Sequence, residues 1–233
     1  MNFPALFYQR MNEMFPNGID WELVGILTKR QEVYTLSHDS KILSGIFEIL
    51  CEPIIRSIAS DQGLEFAKGV QNQYPEFTLT LPGNSSERIA IDVKSTYRQW
   101  DKKGKLKPFG FTLGSYRSYL RDPAGKKGIL FPYHEYSAHW IIGFLYSRNE
   151  ACRTTEIKSI IDAAQLQAPF SDIEYFVQEK HRIAGKTPGS GNTTNIGSIR
   201  CAQIDDFRRG VSDFENTEDF ELYWTNYSPR EKK

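Results

Sequence analysis

Residues 74–97, YPEFTLTLPGNSSERIAIDVKSTY, restrict the fold more than any other stretch of this chain. Two strand-like runs, 77–81 and 88–95, flank the turn formers Pro82, Gly83, Asn84, Ser85 and Ser86, a pattern that predicts an antiparallel hairpin. Pairing centred on Asn84 places Glu76 opposite Asp92. Side chains alternate along a strand, so Ile89, Ile91 and Val93 share one face while Ala90, Asp92 and Lys94 share the other. That second face collects Glu76, Asp92 and Lys94. Two neighbouring carboxylates repel each other unless a hard cation sits between them, and Mg²⁺ is held by one or two carboxylates together with waters and phosphate oxygens. With a lysine alongside, the set suits attack on a phosphodiester.

The Asp-x-Lys spacing discriminates little by itself. The chain has three instances, Asp39-Ser-Lys41, Asp92-Val-Lys94 and Asp101-Lys-Lys103, against roughly one expected from average residue usage. Only Asp92 follows an alternating apolar run and has an upstream acid across a turn. An edge hairpin with a solvated charged face explains the same residues without chemistry.

A chain of 233 residues can bury a full core, and we read it as one domain spanning 1–233. Its formal net charge is zero, which argues against a protein that coats nucleic acid without selectivity but not against local basic patches. Residues 98–107 hold five basic side chains and one Asp, whereas 205–221 is acid-rich. The cysteines, 51, 152 and 201, are odd in number and lack metal-ligand spacing, so neither a disulfide framework nor a zinc site is expected. No apolar run approaches the ~20 residues of a membrane span, and no leader pattern opens the sequence. A cytoplasmic protein is expected.

Leu6, Met11, Met14 and Phe15 predict a short opening helix ending before Pro16. Residues 21–28 and 32–36 read as strands. Between 37 and 61, Ile42, Leu43, Ile46, Phe47, Leu50, Ile54, Ile55 and Ile58 follow helical spacing, with Pro53 as a kink. Ser44, Glu48 and Glu52 fall on the polar side of that helix, so Glu48 is either a solvated acid or one aimed at the hairpin. Arg98, Lys102, Lys103, Lys105 and Lys107 form a basic loop that could follow phosphates or simply be solvated. Residues 111–121 and 157–166 read as helices, 136–146 and 173–183 as strands, and 204–208 and 218–227 as helices. His134 and His139 lie five apart, which suits neither one helix face nor one strand face, and are read as structural. Residues 187–198, TPGSGNTTNIGS, combine three glycines with short polar side chains; such a loop can approach base edges, or can be an ordinary surface loop.

Taken in order, SGIFEILCEPII (44–55), QNQYPEFTL (71–79), IAIDVKSTY (89–97), FTLGSYRSYLR (111–121), AHWIIGFLYSR (138–148) and GSGNTTNIGSI (189–199) resemble the type II restriction endonucleases of the PD-(D/E)xK superfamily. The similarity runs from about 39 to 227. It implies an α/β chain of the α+β type with the restriction-endonuclease-like fold: a mixed central β-sheet flanked by helices, carrying a catalytic β-hairpin. It implies metal ligation by Glu76 and Asp92, a catalytic Lys94, and an accessory metal-site acid at Glu48. Base reading falls on Gly189, Ser190, Gly191, Asn192, Thr193, Thr194 and Asn195, and a minor-groove turn on Gln71, Asn72 and Gln73. Ser95, Thr96 and Lys41 join the DNA-contacting set, and dimerisation elements fall within about 1–36.

The resemblance further implies a homodimer acting on double-stranded DNA with Mg²⁺, Mn²⁺ being a substitute, and a DNA methyltransferase as genetic partner. Cleavage of GATATC to blunt ends is the implied specificity. Two features depart from the pattern. Glu76 stands where Asp is usual, one methylene longer. The C-terminal tail is short, leaving Arg230, Lys232 and Lys233 as partial substitutes for a longer basic segment. A cleavage-deficient DNA binder and a structure-selective nuclease on the same scaffold therefore stay open.

Overall fold

The computed structural model describes residues 1–71, 73–115, 119–189 and 194–228, with only the backbone of Ser85. At its centre is a five-stranded sheet in the order β3-β4-β5-β7-β9, comprising β3 (Glu65–Lys68), β4 (Phe77–Leu81), β5 (Asn84–Tyr97), β7 (Tyr136–Arg148) and β9 (Phe170–Glu179). β5 and β7 pair in parallel and every other neighbouring pair is antiparallel. Both faces of β5 are covered. Ile89, Ile91 and Val93 join one hydrophobic cluster and Ala90 the other.

The first cluster lies under two helices. α2 (Ser40–Asp61) begins at Asp39, whose carboxylate accepts from the Lys41 and Ile42 amides, the usual role of an N-cap acid. Leu43, Phe47, Cys51, Ile54, Ile55, Ile58 and Ala59 recur at helical spacing and are buried against the sheet. Each large apolar side chain so buried contributes roughly 1.5–3 kcal/mol. Pro53 lies inside this helix. α1 (Phe3–Met14) buries Phe3, Phe7 and Met11, one turn apart. The sequence reading chose Leu6, Met11, Met14 and Phe15 for that face; Met14 is instead 48% exposed, because the helix begins at Phe3 and presents the i, i+4, i+8 stripe that starts there.

Two small sheets flank the core. β1 (Gly25–Leu27), β2 (Glu32–Thr35) and β8 (Ile157–Ser159) form one of them, all antiparallel. The helix expected over 157–166 is therefore a strand followed by the 3₁₀ turn Ile160–Gln165. Its isoleucines mimic a helical spacing, but they find no core to face, and Ser159 caps the Ile161 amide to start the turn. The other small sheet is β10 (Ala184–Pro188), β11 (Asn195–Ser198) and β6 (Thr112–Ser115). β6 replaces the first part of the helix expected over 111–121. Phe111 and Leu113 are both buried, a two-residue period that a strand satisfies, and Gly114 has φ +91°. Arg117 lies outside the described residues.

The chain ends in α3 (Ile204–Arg209) and α4 (Thr217–Asn226), which seat Ile204, Phe207, Phe220 and Trp224 in the second cluster. Both carry two acids in the first turn, which the helix dipole favours. Among the described residues no helix is long and apolar enough to cross a membrane.

Candidate active site

The β4–β5 ladder sets the site. Phe77 pairs with Ile91, Thr78 with Ala90 and Leu79 with Ile89, so the ladder runs on to bring Glu76, just before β4, towards Asp92. The tight turn is Pro82-Gly83 alone, with Gly83 at φ +75°. β5 starts at Asn84, earlier than the expected 88, and the register shifts between Thr80 and Leu81 to absorb the extra residues.

Glu76, Asp92 and Lys94 meet on this face. The Lys94 ammonium donates to Asp92 Oδ1 at 2.8 Å and to Glu76 Oε1 at 3.1 Å, and the Val93 amide donates to Glu76 Oε2 at 3.2 Å. Asp92 is nearly sealed, its side chain 3% exposed, while those of Glu76 and Lys94 are about one-fifth exposed. Burial and the Asp92 charge push the Glu76 carboxyl well above the usual range, against the pull of Lys94. Burial would raise Asp92 too, but Lys94, the hydrogen bond with Glu76 and the charge of Lys180 hold it below its ordinary value. The two carboxyls are thus pulled in opposite directions, burial and the Asp92 charge favouring the neutral form of Glu76 and the surrounding ammonium groups favouring the charged form of Asp92. For Lys94, burial works against the charged form, and the two acids overcome it and hold the ammonium protonated.

Asp92 Oδ2 is buried and has no hydrogen-bond partner in the protein. A carboxylate oxygen left so, beside a second carboxyl with an exposed edge, is a donor set that fits a hard divalent cation completed by water and phosphate oxygens. Among the described residues no three His, Cys, Asp or Glu side chains converge as a ready metal cage. Glu48 projects from the half-buried side of α2; burial raises its pKa, with Lys94 and Lys68 opposing and Asp92 adding. It therefore feels the site's charges without closing a three-acid cluster.

The other two Asp-x-Lys aspartates have local work. Asp39 caps α2, and Asp101 accepts from the Lys103 and Lys105 amides in a turn of the basic loop. Arg98, grouped with that loop from the sequence, points elsewhere: it pairs with Glu174 and donates to the Asp172 carbonyl. Lys102, Lys103, Lys105 and Lys107 are exposed. Lys41 is exposed at the start of α2, and Ser95 and Thr96 are half-buried at the far end of β5, Thr96 on the Asp92 side by alternation.

Gln71 is exposed, but Gln73 is occupied: its amide donates to the Ile129 carbonyl and accepts from the Val70 amide. The turn is thus held by Gln73, leaving Gln71 to the solvent. The glycine-rich segment joins β10 to β11, closed by Gly189 N–H to the Asn195 carbonyl at 2.9 Å. Thr194 receives a hydrogen bond from Ser115 of β6. A Cβ at Gly189 would come within 2.9 Å of the Ile196 carbonyl oxygen, so the glycine is required by close packing. Asn72, Ser190, Gly191, Asn192 and Thr193 lie outside the described residues. Leu113 of β6 and Ile196 of β11 pack in the same cluster as Ala90, which sets this hairpin on the Asp92 side of the central sheet.

A family model described as "Restriction endonuclease EcoRV" matches residues 17–233. The chain belongs to the EcoRV restriction endonuclease family. It is also 40% identical over 221 residues to the type II restriction enzyme EcoRV of Escherichia coli, covering 93% of this chain and 86% of that relative. Within this family frame the mixed sheet flanked by helices is the expected architecture.

Sequence reasoning missed a polar group buried beneath the acids. The Tyr74 hydroxyl lies 2.8 Å from both His139 Nδ1 and the Lys180 ammonium, and His139 stacks on Tyr133 at 4.3 Å. His139, read from its spacing as structural, is packed among these rings. Lys180 had no sequence signal, since one lysine at a strand end looks like any surface charge.

Burial, then the charge of Lys180, hold His139 neutral far below its usual pKa, with Asp92 opposing. The unfolded chain takes up a proton near pH 6.5 that the folded chain refuses, so this stability is present above 6.5 and is lost as the pH falls. We expect His139→Gln, which cannot titrate, to flatten the fall in unfolding free energy as the pH drops below 6.5, by up to about 1.4 kcal/mol per pH unit. Urea unfolding at several pH values measures this; parallel slopes for the two proteins would refute it.

Proposed function

We propose that this chain is a Mg²⁺-dependent type II restriction endonuclease that cuts both strands of a short palindromic DNA site, each subunit of a homodimer cutting one. The observation that carries the reading is the meeting of Glu76, Asp92 and Lys94 around a buried, unpartnered Asp92 oxygen, in a chain of this family. Glu76 and Asp92 would hold the cation, Glu48 would assist a second metal or a water, and Mn²⁺ would substitute. Bound there, the cation supplies Lewis-acid polarisation of the scissile phosphate and a more acidic water.

Lys94 directs its ammonium at the same point and offsets charge that develops on the phosphate during in-line attack. Glu76 and Asp92 orient the ion, and their burial excludes competing water. The products are 5′-phosphate and 3′-hydroxyl ends. The extra methylene of Glu76 is accommodated, since Oε2 reaches the Val93 amide and Oε1 reaches Lys94.

Base reading is assigned to Gly189–Asn195 in the major groove, with Asn192 and Thr193 prominent, and minor-groove contact to Gln71 rather than Gln73. Ser95, Thr96 and Lys41 lie along the backbone path. The site is GATATC, cut at its centre, where the TA step bends easily. Two-fold symmetry makes two identical loops meet the same bases on opposite strands, hence the palindrome. Ile26 and Ile157 flank Tyr34 on one face of the small β1-β2-β8 sheet and are each more than half exposed, an apolar surface suited to the second subunit. A methyltransferase of the same specificity is the genetic partner.

The test is digestion of a plasmid of known sequence with and without Mg²⁺, with the fragment ends sequenced. Discrete blunt fragments ending at GATATC, only with Mg²⁺, are expected. Cuts at another sequence would remove the specificity but keep the chemistry. An intact plasmid, with a GATATC duplex still retarded on a gel in Ca²⁺, would mark a binder that Glu76 has disarmed.

A further inference from the structure

A second lysine is buried on the same face of the sheet as the two acids. Lys180 directly follows β9, is 3% exposed, and donates its backbone N–H to the His139 carbonyl at 2.8 Å. Alternation along β9 places it with Phe176, on the Ala90 and Asp92 side. Its ammonium donates to the Tyr74 hydroxyl at 2.8 Å and sits 4.0 Å from the centre of that ring and 5.9 Å from the ring of Tyr119. Among the described residues it has no salt-bridge partner within ion-pair distance. The charges that act on it are Asp92 and Glu76, which favour the ammonium, and Lys94, which opposes it. Burial lowers its pKa to about 8, so the group is still charged at neutral pH.

Burying an ammonium without a paired carboxylate is costly, and few structures carry that cost without a return. The anions whose field offsets it here are the acids of the candidate active site. Tyr74, its hydrogen-bond partner, is two residues before Glu76 and is itself fixed by Tyr74 N–H to the Gly128 carbonyl and Leu130 N–H to the Tyr74 carbonyl.

We propose that Lys180 is a positioning residue for the metal site: its buried ammonium is the standing countercharge of the Asp92–Glu76 pair, and through Tyr74 it pins the segment that carries Glu76. This rests on the reading of those acids as the metal ligands. It has two consequences of opposite sign. A fixed positive charge repels an incoming cation, so the native site holds a divalent ion less tightly than a neutral version would. The same fixed charge strengthens the field acting on the phosphate and keeps Glu76 in place, so it favours turnover.

Lys180→Met removes the charge and keeps a chain of similar length. Mn²⁺ binding to the DNA-free, full-length protein, followed by loss of the free-ion EPR signal, is expected to tighten about three- to tenfold, from the loss of one like charge at intermediate dielectric. Turnover on a duplex substrate at saturating Mn²⁺ is expected to fall about tenfold or more, the scale of losing one preorganised electrostatic contact. Tighter binding with slower cleavage supports the proposal. A lysine that merely fills space would leave Mn²⁺ affinity unchanged, and that result overturns the proposal; so does weaker binding in Lys180→Gln, which keeps the donor to Tyr74 and removes only the charge. Should Lys180→Met not fold, Lys180→Gln, which keeps a donor for Tyr74, must give the same tighter binding. If the native protein takes up no Mn²⁺, the reading of the acids fails first, whereas equal uptake by native and variant proteins sinks only the role of Lys180.

Discussion

Asp92→Ala is expected to reduce DNA cleavage by at least about a thousandfold, because it removes the carboxylate of this site whose buried Oδ2 has no hydrogen-bond partner in the protein. The fold should survive. Both hydrophobic clusters stay intact and Lys94 keeps its contact with Glu76, but Lys94 and Lys180 each lose Asp92 as countercharge, so a lower unfolding midpoint is expected. DNA retardation in Ca²⁺-free buffer should persist while Mn²⁺ uptake disappears. Single-turnover cleavage of a labelled duplex, with the unfolding midpoint measured in parallel, decides the matter. Activity within tenfold of the native protein would mean that Asp92 holds no metal.

Phe47→Ala is expected to cost about 3–5 kcal/mol of stability, the range for a large aromatic truncated in a core that cannot collapse around the gap. Phe47 is completely buried and stacks on Phe144 with ring centres 4.7 Å apart, while Tyr146 and Phe170 lie 5.4 and 5.3 Å away. These rings come from three different elements, α2, β7 and β9, so none can move alone to fill the space. The next residue on α2 is Glu48, and a loosened helix should also slow cleavage. Urea unfolding with an unchanged denaturant slope is the measurement. A loss below 1 kcal/mol would show that the cluster repacks and that α2 is not anchored there.

The β4–β5 hairpin was legible from residues 74–97, with the register of its length away from the turn, for a physical reason. With one face apolar and the other charged, a slip of one residue would turn Asp92 and Lys94 into the hydrophobic layer that Ile89, Ile91 and Val93 fill. The long helix was equally plain, because its apolar residues must recur every three or four positions to meet one sheet. Residues 111–115 and 157–166 misled for the converse reason. Their periodicity is short enough to fit either backbone, and pairing partners distant in the chain, β11 for one and β2 for the other, decided in favour of strands.

What the sequence determined by itself is the set of local patterns that tolerate one backbone only: the hairpin, the helix over Ser40–Asp61, and the family blocks that order them. Only the tertiary structure decided which charges share a site. Asp39, Asp92 and Asp101 have the same spacing to a lysine, yet the first caps a helix, the last closes a turn, and Asp92 is sealed beside Glu76. Lys180 becomes part of that environment only because β9 is laid against β7, bringing its ammonium under Tyr74. Electrostatic fields act through space, and proximity in space is what a linear pattern does not encode.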